Sequence, residues 1–339
     1  MGRKKFKGKR AALTVCCIFL TIVLVGLLLA CVYANRMLGL IQRQPALQET
    51  LSSSEQHEIE NQTDPIDEGF TGPVIDPTDV TWSTVPVEVI EEEHIINILL
   101  IGQDRRPGQG RQRSDAMILC SINADTNTLT MTSFLRDLYV QIPGYQDNRL
   151  NAPYALGGME LLKETLKLNF GIVVDGCIEV DFSQFERIVD LMGGVDISLT
   201  AAEAAHLNKS GFGLTEGVNH LNGKAALAYS RIRYIGTDFG RTNRQRTVLS
   251  ALVEQSRTLS LKQMHNLLEG ILQLITTDMS NRQIIGLAVD SFPMLTTLKV
   301  KTQYIPAEGT YQFASIRGMS VIVADMAANR AILADTIME

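Results

Sequence analysis

The chain has 339 residues, enough for two domains or for one large domain with appendages. It is 45% hydrophobic with a formal net charge of -6, an ordinary globular composition that lacks the basic field a general nucleic-acid binder needs.

The average charge hides an asymmetric start. Residues 1–10 carry Arg3, Lys4, Lys5, Lys7, Lys9 and Arg10 and no acid, and Ala11 to Ala34 carry no charge. As a helix, those roughly 24 residues span about 36 Å, enough to cross a bilayer core. The expected order is a cytoplasmic basic head over 1–10 and a transmembrane helix over 11–34, with the remainder outside the cell membrane by the positive-inside rule. Cleavage is the rival, because Val32-Tyr33-Ala34 resembles a signal-peptidase site and Leu28-Leu29-Ala30-Cys31 a lipoprotein box. The length of the apolar run favours retention.

Residues 35–92 include Pro65, Pro73, Pro77 and Pro86, Ser52-Ser53-Ser54 and scattered acids, with little apolar period. They predict an extracellular stalk, followed by a folded domain over 93–339. Ile95 to Ile101 is a strand, Ala116 to Asn123 a second, and Leu129 to Phe134 a third after the turn at Asp125-Thr126-Asn127. If these three form a meander, Asp104, Asp115 and Arg136 meet at one sheet edge. Leu161 to Leu168 predicts a helix, Ile172 to Val180 a strand, and Ser183 to Met192 an amphipathic helix stopped by Gly193-Gly194. Helices over Leu221 to Arg231 and Arg241 to about Leu259 follow, then two or three more helices and a strand over Leu298 to Tyr304. The predicted class is α/β, a mixed central sheet flanked by helices in an α-β-α sandwich.

Arginine guanidinium groups donate paired hydrogen bonds to phosphate oxygens and stay charged. Arg113, Arg136, Arg231, Arg233 and Arg241 form a set suited to a pyrophosphate, while Asp104 and Asp115 are hard oxygen ligands suited to Mg²⁺. Gln245 shares a helix face with Arg241 and points toward the same pocket. Structural ion pairing is the alternative for these groups, and Arg105, Arg106, Arg111, Arg187 and Arg257 read as surface residues. Phe182, Phe185, Ile188, Val189 and Met192 are candidates for an apolar channel, with core packing as the alternative. The sequence holds no phosphate-binding Gly-x-x-x-x-Gly-Lys loop and no Gly-x-Ser-x-Gly elbow, and its histidines lack metal-ligand spacing. Cys120 and Cys177 read as buried thiols, or as a disulfide if the compartment is oxidising.

Asn97-Ile98-Leu99-Leu100-Ile101-Gly102-Gln103-Asp104-Arg105, Arg113-Ser114-Asp115, Ser133-Phe134-Leu135-Arg136-Asp137 and Arg149-Leu150-Asn151-Ala152 occur in order. Asp181-Phe182, Gly193-Gly194-Val195-Asp196, Leu221 to Leu227, Arg231-Ile232-Arg233 and Asp238-Phe239-Gly240-Arg241 with Arg244-Gln245 follow. Together they resemble the LytR–CpsA–Psr family over residues 94–339. The resemblance implies a membrane-anchored cell-wall phosphotransferase that moves a glycopolymer phosphate (teichoic acid or capsule type) from a polyprenyl-pyrophosphate carrier to peptidoglycan. It implies Mg²⁺ on Asp104 and Asp115, and Arg113, Arg136, Arg231, Arg233, Arg241 and Gln245 around the pyrophosphate. Arg136 and Asp238 are the expected catalytic groups, Asp238 orienting arginines or assisting the acceptor hydroxyl. A polyprenyl-pyrophosphate phosphatase and a non-catalytic membrane regulator are the alternatives. Gln103 departs from the small residue usual before Asp104, and Phe134-Leu135 from the usual pair before Arg136.

Overall fold

The computed structural model describes residues 33–43, 51–62, 72–83, 86–90, 92–105, 110–232, 238–291, 294 and 296–339. The basic head and almost all of the expected span over 11–34 therefore lie outside the described residues. Among the described residues no helix is long and apolar enough to cross a membrane. The chain divides into a unit over Met1–Ile41 and one over Gln42–Glu339. In the first, residues 33–38 are helical.

The second unit is built on a seven-stranded mixed sheet. In chain order it contains β1 (Gln42–Arg43), α1 (Ser53–Asn61), β2 (Ile95–Gln103), β3 (Ser114–Asn123) and β4 (Thr128–Phe134). There follow β5 (Tyr139–Val140), β6 (Asn148–Arg149), α2 (Ala152–Phe170), β7 (Gly176–Asp181), α3 (Phe182–Leu191), β8 (Val195–Leu199), α4 (Ala201–Asn208), β9 (Gly217–Leu221) and α5 (Gly223–Ser230). The chain continues with α6 (Asp238–Ser256), α7 (Leu261–Leu272), β10 (Thr276–Thr277), α8 (Asn281–Ser291), β11 (Lys299–Ile305), β12 (Tyr311–Ile316), β13 (Met319–Ala324) and α9 (Met326–Met338). The sheet order is β1-β10-β7-β2-β3-β4-β11.

β2, β3 and β4 form the expected antiparallel meander. β7 runs parallel to β2 and β11 parallel to β4, so their C-terminal ends reach the edge where β2 and β4 end and β3 begins. Every residue of β4 is buried, because helices cover both faces of the sheet. On one face Leu99, Leu119 and Phe134 pack with Leu162 and Leu166 of α2 and Leu333 of α9. On the other, Ile118, Met131 and Leu298 pack with Leu249 and Val253 of α6. This is the α-β-α sandwich. The β8–β9 hairpin with α4 and α5 builds a second core around Val195, Leu221 and Ala226.

Three elements differ from expectation. The helix expected at 161–168 is preceded by a further helical segment from Ala152, with Pro153 in its first turn, and non-helical backbone at Gly158 (φ 68°) kinks α2 between the two. The hairpins β8–β9 and β12–β13 are additional, the second turning through Arg317 and Gly318 at φ 51° and 73°. Most consequential, the segment expected as a stalk packs on the domain. Ile59 of α1 joins the main core, the Glu60 carbonyl accepts from Asn148 Nδ2 at 2.8 Å, and Gln62 accepts from Arg149 at 3.3 Å. Trp82 stacks on Tyr139 at 6.2 Å and donates to Asp147 at 2.7 Å. Ile90 N donates to Gly171 O at 2.8 Å. Gly171 sits at φ 72° as the cap of α2, where a Cβ would also overlap the Glu88 carbonyl, so the position demands glycine twice over.

Cys120 and Cys177 are both free thiols. β2 separates them, with Cys120 beside Ile98 and Cys177 beside Leu99, which puts about 10 Å between their backbones and exceeds disulfide reach. Burial pushes the Cys120 thiol up to about 12 and that of Cys177 higher still.

Candidate active site

The sheet edge gathers the charged groups as strand geometry requires. Asp104 follows β2, Asp115 is the second residue of β3 beside a register shift at Gly102/Gln103, and Arg136 follows β4. Arg136 Nη1 donates to Asp115 Oδ1 at 3.1 Å, and its Nε lies 3.4 Å from Asp137 Oδ2. Asp137 continues to Arg149, a guanidinium only 2% exposed, at 3.5 Å. On the facing side, Arg231 Nη2 is 3.7 Å from Asp104 Oδ2, and both groups are well exposed. The Arg231 guanidinium also lies 4.4 Å over the Phe182 ring, a cation–π contact that holds it above the start of α3.

Helix α3 is placed there by its own sequence. Asp181 ends β7 and caps α3, accepting from Gln184 N at 2.9 Å while the Gln184 side chain accepts from Asp181 N at 2.7 Å. Phe182, the first helical residue, therefore lies beside the sheet edge.

Asp115, Ala116, Phe182, Arg231, Arg241 and Gln245 line a narrow cleft at this edge. Arg241 is 4% exposed, and Gln245 Oε1 is buried and accepts no hydrogen bond. Ala116, Phe182, Arg231 and Gln245 also line the mouth of an apolar cavity of about 340 Å³. Its walls are Leu100 and Ile118 from the sheet, Phe185 and Ile188 from α3, Leu227 from α5, and Leu249 and Leu252 from α6. Of the channel candidates, Phe182, Phe185 and Ile188 line it. Val189 belongs instead to the β8–β9 core, and Met192 is buried away from the lining. The helix turns one apolar stripe to the cavity and a neighbouring one to the second core.

The remaining candidates divide. Arg113 is held by Asn151 Oδ1 at 3.3 Å and by the Ile59 carbonyl, and it does not line the cleft. Arg233 lies outside the described residues, and Asp238 is placed only as the first residue of α6. Arg244 is structural. Its Nε donates to buried Glu203 at 2.7 Å and its Nη1 to the Ile232 carbonyl at 3.2 Å, which fixes the chain just after Arg231. Burial pushes the Glu203 carboxyl up, but the Thr200 and Arg244 hydrogen bonds outweigh it and leave the group below its usual range. Arg246 on α6 is 4% exposed and 5.6 Å from the Tyr304 ring, and burial pulls its guanidinium down to about 10.

Three arginines expected at the surface are engaged below it. Arg105 reaches buried Glu179 at 3.6 Å, Arg111 donates to the Ala155 and Leu156 carbonyls of α2, and Arg257 donates to the Leu298 carbonyl. Sequence reasoning missed Glu179 and Gln103. The available signal was an acid inside the apolar run of β7. Among the described residues no group of three or more acids, histidines or cysteines is arranged to hold a metal.

The family model for LytR_cpsA_psr matches residues 47–334. The chain belongs to the LytR_cpsA_psr family. Among its relatives, regulatory protein MsrR of Staphylococcus aureus is 32% identical over 230 residues, 66% of this chain and 68% of MsrR. The polyisoprenyl-teichoic acid–peptidoglycan teichoic acid transferase TagT of Bacillus subtilis is 33% identical over 212 residues, 60% of this chain and 65% of TagT. A structure of TagT bound to LI-WTA has a TM-score of 0.60 at 28% identity, over 74% of this chain and 94% of that one. Another, with bound octaprenyl pyrophosphate lipid, has a TM-score of 0.56 at 27% identity with the same coverage.

Proposed function

We propose that this protein transfers a glycopolymer phosphate from a polyprenyl-pyrophosphate carrier to peptidoglycan. The observation that carries the reading is the shared wall of the two chambers. Phe182, Arg231 and Gln245 line both the charged cleft and the apolar cavity, so one ligand can place a hydrocarbon in one and phosphates in the other. The TagT relative named as a teichoic acid transferase and the TagT structure holding octaprenyl pyrophosphate support it.

In this reading the isoprenoid leaves water for a cavity walled by aliphatic and aromatic side chains, which contributes binding roughly in proportion to the area buried. Arg231 and Arg241 hold the two phosphates, and Arg136 offsets the charge that grows as the bond breaks. An acceptor hydroxyl on peptidoglycan attacks the phosphorus that carries the polymer. The bond from that phosphorus to the bridging oxygen breaks, and polyprenyl phosphate leaves. Asp238 takes the hydroxyl proton. Arg233 would add a further donor to the pyrophosphate, while Arg113, held by Asn151 outside the cleft lining, would add its charge from behind.

Asp104 and Asp115 are two carboxylates on neighbouring strand ends, each beside an arginine. That donor set suits Mg²⁺, which is commonly held by one or two carboxylates with phosphate oxygens and water. When bound, Mg²⁺ would neutralise phosphate charge beside these two residues. The segment over 11–34 would anchor the domain outside the cell membrane, facing a lipid-linked donor and the wall acceptor.

The test supplies purified full-length protein with a lipid-linked glycopolymer, Mg²⁺ and peptidoglycan. Polymer bound covalently to peptidoglycan supports transfer. Polymer phosphate released into water would instead identify a phosphatase. Donor bound without turnover would favour a non-catalytic regulator, the role suggested by the name of MsrR.

A further inference from the structure

Glu179 is a carboxylate inside the sheet. It lies on β7 beside Ile101 of β2 and is 3% exposed. An acid at such a place costs several kcal/mol unless its oxygens are satisfied. Three donors meet it. Tyr154 OH donates to Oε2 at 2.5 Å, Gln103 Nε2 donates to Oε1, and Arg105 Nη2 lies 3.6 Å from Oε1.

Gln103 is itself fully buried and is the last residue of β2, immediately before Asp104. Its Oε1 accepts from the main-chain N–H of Gln112 at 3.1 Å. Gln112 immediately precedes Arg113. One side chain thus spans the base of the loop between β2 and β3, with Asp104 on one side and Arg113 and Asp115 on the other. A glutamine amide has one donating and one accepting end. Glu179 Oε1 receives the NH₂ end, which leaves the amide oxygen for Gln112.

We infer that Glu179 is a positioning residue for the phosphate site. It fixes the Gln103 amide, and the resulting clasp sets Asp104 against Arg113 and Asp115. The proposed transfer reaction supplies the activity readout of this inference, while the clasp can be measured without it.

The hydrogen-bond logic defines the test. In Glu179→Met no acceptor faces the Gln103 NH₂, so nothing fixes that amide and the Gln112 N–H loses a held partner. Glu179→Gln keeps the acceptor, because its oxygen can face Gln103 and Arg105 while its NH₂ donates to the Tyr154 hydroxyl oxygen.

The experiment measures hydrogen exchange at the Gln112 amide in the full chain, and transfer from a polyprenyl-pyrophosphate-linked donor across Mg²⁺ concentrations. Glu179→Met is expected to speed Gln112 exchange by about tenfold or more, as local opening there becomes cheap. It should also raise the Mg²⁺ needed for half-maximal transfer, and Glu179→Gln should leave both readouts near wild type. Tyr154→Phe removes a Glu179 contact without touching the clasp, so it should lower Tm and leave Gln112 exchange unchanged. If Glu179→Met does not fold, Gln103→Met, which keeps the volume, must give the same rise in exchange. Unchanged Gln112 exchange in folded Glu179→Met, or a folded Glu179→Gln that raises it as far, overturns the inference. A wild-type protein without transfer activity would overturn the functional reading, and the exchange data would still decide the clasp.

Discussion

Arg136 Nη1 stands 3.1 Å from Asp115 Oδ1, so the end of β4 is tied to the start of β3 at the cleft. Arg136 also contacts Asp137, which in turn pairs with Arg149. Loss of this guanidinium leaves two carboxylates facing the incoming phosphates. Arg136→Ala is expected to lower kcat for transfer by about 10²–10³, the range for removing one preorganised charge-stabilising donor. Arg136→Lys should recover only part of it, because an ammonium cannot reproduce the planar fork. Steady-state kinetics with matched circular dichroism spectra check both. Wild-type turnover in the alanine variant would remove Arg136 from the mechanism.

The cavity offers a second handle. Ile188→Trp places an indole in a space of about 340 Å³ beside Phe185. The expected result is binding of long-chain polyprenyl pyrophosphate weakened by about tenfold or more, roughly the contribution of a few displaced methylene contacts. A donor with a two-isoprene tail should lose less. Titration of the two chain lengths into detergent-solubilised protein measures the difference. Equal losses would place the hydrocarbon elsewhere.

Glu203 and Arg244 form a buried pair, with side chains 10% and 7% exposed. Removing one partner strands the other, which costs about 3–5 kcal/mol in such settings. Glu203→Ala should therefore lower Tm sharply, with activity falling only as the folded fraction falls. The carboxyl is held below its usual range when folded. Its stabilisation is thus present above the unfolded pKa and is lost as pH falls through the lower folded value. Thermal melts of wild type and variant should converge under acid conditions.

His220 carries the opposite sign. Its hydrogen bond with Asp196 at 2.7 Å, together with one to the Gly193 carbonyl, raises its pKa above the ordinary histidine value. A raised folded pKa stabilises fully below the unfolded pKa of about 6.5 and fades as pH rises through the folded one. Both side chains are well exposed, so the effect on Tm is small. His220→Gln should lower Tm at mildly acidic pH and leave it unchanged in alkali. An NMR titration of the His220 ring with a midpoint at or below the ordinary value would contradict this assignment.

Much of the central sheet was legible because β2, β3 and β4 carry continuous apolar runs bounded by turn residues, and antiparallel pairing then fixes where Asp104, Asp115 and Arg136 lie. Helix α3 was likewise visible in the apolar spacing of Phe185, Ile188, Val189 and Met192 and in the Gly193-Gly194 stop. The β12–β13 hairpin was not, because its turn uses Arg317-Gly318 in place of an Asn-Gly signal. The segment over 53–90 was misread for a different reason. Its docking relies on main-chain carbonyls and scattered residues such as Ile59 and Trp82, and neither leaves a period in the sequence. In the site, residue types singled out Arg231 and Arg241, and both line the cleft. The sequence held no sign that Arg113 is anchored by Ile59, or that Glu179 satisfies Gln103, because those partners come together only through tertiary packing.

The docking of α1 has a mechanical side. Main-chain carbonyls of its last turns and the residue beyond, at Ile59, Glu60 and Gln62, hold Arg113, Asn148 and Arg149. β1, ahead of α1 in the chain, is paired with β10, so tension from that side meets the sheet before it reaches α1. A chain beginning at residue 93 would keep every sheet strand from β2 onward and still lose one anchor at each of Arg113 and Arg149, whereas one beginning at 51 keeps both.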